Sequence, residues 1–245
     1  MKQNYFESTW SSIKQHQTPN WFKKAKFGIY AHWGIYSVPA AGPNVTWYPY
    51  WMYRPPSPQF DYHCKHYGHP SKFGYKDFIP MFTAEKFNAE EWADLYYRSG
   101  AKFAGPVAEH HDGFPMWNCS DTEWCASKMG PKRDIVGELA KAIRNKGMKY
   151  MVAMHHAENW FFFPHWNNDF DTSKKEYESL YGELHNLDLI GNQAVYPDHW
   201  GRKNEHQDKP SKAFHDRWLN RLKEVVDNYK PCLLYTSDAA DDLTR

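Results

Sequence analysis

Three short apolar runs each end on histidine, and this pattern constrains the fold more than any other feature. KFGIYA leads to His32, AKFAGPVAE to His110 and His111, and MKYMVAM to His155 and His156. The runs read as short buried strands at about 27–31, 102–108 and 149–154. Helical sequences lie between them. In NAEEWADLYYRSG, Asn88 is an N-cap, Glu91 completes a capping pattern, Trp92, Leu95 and Tyr96 share a face, and Gly100 terminates. DIVGELAKAIRNKG is capped by Asp134 and stopped at Gly147. Beyond the third strand a helix is expected from Ser173, with Glu176 three residues on, then an irregular region over about 186–210. The last helix, AFHDRWLNRLKEVVDNYKP, places Phe214, Trp218, Leu222, Val225 and Tyr229 at helical spacing. WYPYWMYRPPSPQF is too rich in proline for regular structure.

Strands alternating with helices predict an α/β fold with a parallel sheet. No glycine-rich phosphate fingerprint follows any strand, which disfavours a dinucleotide-binding fold. A (β/α)8 TIM-like barrel fits better, because such barrels build their sites at the carboxyl ends of successive strands, where these histidines lie. A whole barrel needs eight strands in typically about 250 residues. This chain spends nearly all of its 245 residues on three. The expectation is a partial barrel of the first three to four strands.

Composition removes several function classes. The formal net charge is +1 and no basic block is present, so no nucleic-acid partner is expected. No apolar run approaches a membrane span, and the opening MKQNYFESTWSSIKQHQTPNW lacks the apolar core of a signal peptide. Cys64, Cys119, Cys125 and Cys232 lack zinc-finger spacing, leaving free thiols or one disulfide. Aromatic residues make up 18% of the chain, including twelve Trp, which fits either a bulky core or an aromatic-lined cleft.

A metal site is disfavoured. Metal-dependent barrel hydrolases favour His-x-His on a strand, because alternate residues point the same way. Here one strand offers His32 alone and two offer adjacent pairs, whose side chains start in opposite directions. A single histidine is best read as a buried imidazole that orders its loop. Together at neighbouring strand tips, beside Trp33, Trp47 and Trp117, His32, His110 and His111 read as a clamp for a hydroxyl-rich ligand. Imidazole N–H groups bond ring hydroxyls while aromatic faces cover the apolar side of a sugar.

WFKKAKFGIYAHWGIYSVPA, FNAEEWADLYYRSGAKFAGPVAEHHDGFPMW and MGPKRDIVGELAKAIRNKGMKY closely resemble family 29 of the glycoside hydrolases, the α-L-fucosidases. The resemblance runs from about Trp21 to Pro231 and is weakest between about 157 and 210. It implies a barrel followed by a C-terminal β-sandwich, the latter not expected in this chain. It also implies cleavage of terminal fucose from glycans with retention, without metal or organic cofactor. Members are commonly secreted, periplasmic or lysosomal. Carried over by position, His32 contacts the sugar and His110 and His111 bind the fucose hydroxyls. Trp47 keeps its place, but Thr46 stands where many members have glutamate. AMHHAENW departs from the commoner tyrosine-bearing strand end; Met154 or Ala153 occupies that position, and His155 is the substitute in binding. Asp112 and Arg133 read as braces, Asp112 by accepting backbone N–H groups and Arg133 by pairing with a carboxylate.

The family nucleophile is an Asp in a Trp-x-Asp-Gly context after a Lys-Pro element, and the acid/base comes later. This chain reaches Lys230-Pro231 and continues CLLYTSDAADDLTR. That tail resembles an in-frame translation of a sequencing adapter, and its Asp238 lies one residue beyond the nucleophile position. The expectation is therefore an incomplete barrel domain over 1–231 and a non-native tail over 232–245. Such a chain lacks both catalytic carboxylates and is inactive alone. A metal-dependent amidohydrolase-like barrel and a non-catalytic fucose-binding module are the alternatives.

Overall fold

A computed structural model describes residues 6–184 and 210–236. The irregular region expected at 186–210 falls outside the described residues, apart from Pro210, and so does Asp238. Four strands form one parallel sheet in sequence order: β1 (Gly28–Ala31), β2 (Phe103–Glu109), β3 (Lys149–Met154) and β4 (Leu233–Tyr235). The three expected strands are present, in parallel, and the stretch from 232 adds a fourth. A doubly wound sheet would reverse its strand order partway. The order β1-β2-β3-β4 continues in one direction, as consecutive strands of a (β/α) barrel do.

Crossover helices α1 (Ala89–Arg98), α2 (Ile135–Asn145) and α3 (Lys212–Tyr229) connect the strands. Apart from their first residues β2 and β3 are wholly buried, because sheet neighbours and helices cover both faces. Gly105 on β2 permits this closeness: a Cβ there would lie 1.8 Å from the Met151 carbonyl oxygen. On α2, Ile135, Val136, Leu139 and Ile143 are at most 1% exposed. Each contributes roughly 1.5–3 kcal/mol by leaving water. Asp134 caps α2 by accepting the Gly137 N–H (2.9 Å), and its other oxygen accepts the Tyr229 hydroxyl (2.8 Å), tying α3 to α2.

One helix reading is refined and another is corrected. Asn88 caps α1 as expected, but the buried residues are Ala89, Ala93 and Tyr96, and Leu95 is 57% exposed. The face shared by Trp92, Leu95 and Tyr96 is therefore rotated partly into solvent. Ser173 caps no helix: its hydroxyl donates back to the Phe170 carbonyl (2.8 Å), inside successive 3-10 turns. Nearby Asp171 accepts the hydroxyls of Tyr53 (2.8 Å) and Tyr181 (2.5 Å), pinning this segment before the short helix Glu178–Tyr181. Among the described residues no helix is long and apolar enough to cross a membrane.

Candidate functional site

Because β1, β2 and β3 lie side by side, the residues that follow them meet. The ring centroids of His32, His110 and His155 lie 5.4 Å from one another. His111 is 4.3 Å from His110 and 5.5 Å from His155. Trp47, at the end of the 3-10 turn Val45–Trp47, lies 5.1 Å from His111. Tyr36 flanks His110 at 5.1 Å, and Phe162 flanks both Trp47 (5.3 Å) and His111 (5.4 Å). The five residues singled out from the sequence thus form one cluster at the carboxyl end of the sheet.

The pair His110–His111 does not splay as adjacent strand residues do. β2 ends at Glu109, and its register with β3 shifts between Val107 and Glu109. Such an irregularity re-aims the residues that follow it. His110 and His111 also lie beyond the strand end, where strand alternation no longer applies, and their rings approach to 4.3 Å. His155 and His156 do separate: His155 joins the cluster, while His156 stacks on Phe214 and places Nδ1 2.8 Å from Glu109 Oε1. Two of the tryptophans grouped with the clamp belong elsewhere. Trp33 packs on Phe82, Phe87 and Trp92 at 5.0–5.1 Å, and Trp117 is fully buried in the core. Among the described residues, no three His, Cys, Asp or Glu side chains are arranged to hold a metal ion.

Hydrogen bonds lock the two histidine segments together. The Glu109 carbonyl accepts the His155 N–H (2.8 Å), and the His155 carbonyl lies 2.8 Å from His111 Nδ1. A carbonyl only accepts, so His111 carries a proton on Nδ1. His111 Nε2 lies 3.7 Å from Glu158 Oε2, a contact that attracts only when Nε2 is protonated as well. Asn159 donates to the His111 carbonyl (2.9 Å). His110, His111 and His155 are 1–3% exposed, whereas His32 and the Glu158 side chain are partly exposed and form the open side. Glu158 and Asn159 were not singled out from the sequence. The signal was in AENW, a carboxylate and an amide immediately beyond a histidine-tipped strand.

Asp112 and Arg133 brace loops, as read from the sequence. Asp112 accepts the Phe114 N–H (3.3 Å) and the Tyr75 hydroxyl (2.7 Å). Arg133 pairs with Glu138 and donates to the Phe87 carbonyl (3.0 Å). Burial pushes the Asp112 carboxyl up to about 6, against the opposing pull of Tyr75 and Phe114. Because the folded value lies above the unfolded one, this group's stabilisation is complete at low pH and is lost as pH rises through about 6. Asp112→Asn removes the titration and keeps an acceptor for Phe114. Its stability relative to the parent is expected to improve by about 1 kcal/mol between pH 5 and pH 8. Urea unfolding of both proteins across that range measures the difference. A constant difference would contradict the assignment.

Against known proteins, the α-L-fucosidase family matches residues 1–243. Human plasma α-L-fucosidase is 45% identical over 142 residues, covering 58% of this chain and 30% of the relative. Human tissue α-L-fucosidase is 35% identical over 230 residues, covering 85% and 48%. The crystal structure of Thermotoga maritima α-fucosidase in complex with fucose superposes with a TM-score of 0.72 at 33% identity, covering 95% of this chain and 49% of that one. The chain thus spans about a third to a half of the length of these relatives, and its four strands match part of their barrel. Fold, motifs and family match agree: the chain belongs to the α-L-fucosidases of glycoside hydrolase family 29.

Proposed function

We propose that this chain is the sugar-gripping part of a retaining α-L-fucosidase, and that His32, Trp47, His110, His111 and His155 hold a terminal α-L-fucose residue of a glycan. The observation that carries this reading is the cluster itself: four imidazoles with neighbouring centroids 4.3–5.5 Å apart, beside Trp47, at the strand ends. Imidazole nitrogens match the donor and acceptor pattern of sugar hydroxyls, and the indole covers the C–H face and methyl group. Burial strengthens each such bond, because little water competes for the same groups. A Thermotoga maritima member of the family has been crystallised with fucose, which supports fucose as the ligand. Cleavage with retention works by proton transfer and a covalent glycosyl intermediate on carboxyl groups, so no cofactor is invoked.

Calorimetric titration of L-fucose into the chain tests the site. His111→Ala is expected to weaken binding about tenfold or more, since losing roughly 1.4 kcal/mol already gives that factor. Unchanged affinity would mean that His111 only orders its loop.

A further inference from the structure

Arg221 lies on the buried stripe of α3 between Phe214 and Val225 and is 1% exposed. Packing alone would place an apolar side chain there, since a buried ion pair is rarely worth more than hydrophobic residues of equal volume. The guanidinium instead holds two carboxylates. Nη1 donates to Glu109, which is fully buried; Nη2 donates to Asp121 Oδ1 (2.9 Å) and Nε to both Asp121 oxygens (3.1 Å). The same Glu109 oxygen lies 2.8 Å from His156 Nδ1. Glu109 directly precedes His110 and His111, and His156 directly follows His155. The Glu109 carbonyl also accepts the His155 N–H, and the His155 carbonyl holds His111 Nδ1.

We infer that Arg221 is a positioning residue for the histidine cluster: from α3 it fixes Glu109 and, through Glu109 and His156, the two segments that carry His110, His111 and His155. Its relevance to fucose rests on the function proposed above; its effect on the imidazoles does not. Burial pushes the Glu109 carboxyl up, but Arg221 and His156 outweigh this and hold it below the usual carboxylate range, so the anchor is charged. Two changes separate positioning from mere support. Arg221→Lys keeps the charge but loses the planar fork that spans Glu109 and Asp121. Arg221→Met combined with Glu109→Gln removes the charge pair without stranding a buried carboxylate.

The test is nitrogen-15 NMR of histidine-labelled chain, with L-fucose titration and thermal unfolding in parallel. In the parent, His111 is expected as a single Nδ1–H tautomer. In both variants it is expected to become a mixture of tautomers, with fucose affinity lowered about tenfold in the folded protein. A drop in thermal midpoint with the His111 tautomer and fucose affinity unchanged would overturn the inference. If the parent binds no fucose, the proposed function fails, and the tautomer readout still decides the role of Arg221. Should either variant fail to fold, Asp121→Asn, at a partly exposed site, frees one side of the guanidinium and is read in the same way.

Discussion

The function proposed above predicts that an aryl α-L-fucoside stays intact with this 245-residue chain and is cleaved by a chain of the length of its relatives. Retention requires two carboxyl groups roughly 5–5.5 Å apart, one as nucleophile and one as acid/base. Among the described residues near the cluster, two of the carboxylates are engaged in structural contacts. Glu109 is committed to Arg221 and His156, and Asp112 to Tyr75 and Phe114. Glu158 stands at the open side beside His111 and supplies a single carboxylate. A sugar held with no carboxylate in place to attack it forms no glycosyl-enzyme, however firm the grip. The loss is expected to cover the greater part of an enzymatic acceleration, typically 10⁶-fold or more. Turnover by the short chain that Asp238→Ala abolishes would contradict this account.

Gly113→Ala is expected to cost about 3 kcal/mol or more and to disorganise the cluster. Gly113 has φ of +75°, a left-handed conformation that costs a residue with a Cβ roughly 1–2 kcal/mol. A Cβ would also lie 2.3 Å from the Leu180 carbonyl oxygen and 2.8 Å from Asn159 Nδ2. The first neighbour is backbone and cannot swing aside. The second is the amide that holds the His111 carbonyl. The substitution therefore strains the turn and displaces the bond that positions His111. Urea unfolding and L-fucose titration check both effects. A loss below about 1 kcal/mol with affinity unchanged would show that the turn relaxes freely.

The strands and the convergence of their histidines were legible because both follow from local pattern: an apolar run of strand length, then a polar tip. Parallel order followed from the helices between them. What escaped depends on contacts distant in sequence. His110 and His111 escape strand alternation because β2 ends at Glu109, one residue before them, and the apolar run does not mark that end. Leu95 is apolar but exposed, since the neighbours of α1 bury the stripe through Ala89, Ala93 and Tyr96. Ser173 resembles a cap, yet Asp171 is held by two tyrosines and the helix starts later. The role of Arg221 has no local signal, because its partners, Glu109 and Asp121, lie about a hundred residues earlier.

The most direct measurement is a crystal structure of the chain with L-fucose. The account predicts the sugar at the ends of β1, β2 and β3, its hydroxyls within hydrogen-bond distance of the His32, His110, His111 and His155 imidazoles and one face against Trp47. Fucose bound away from these side chains, with the cluster closed and unchanged, would contradict it.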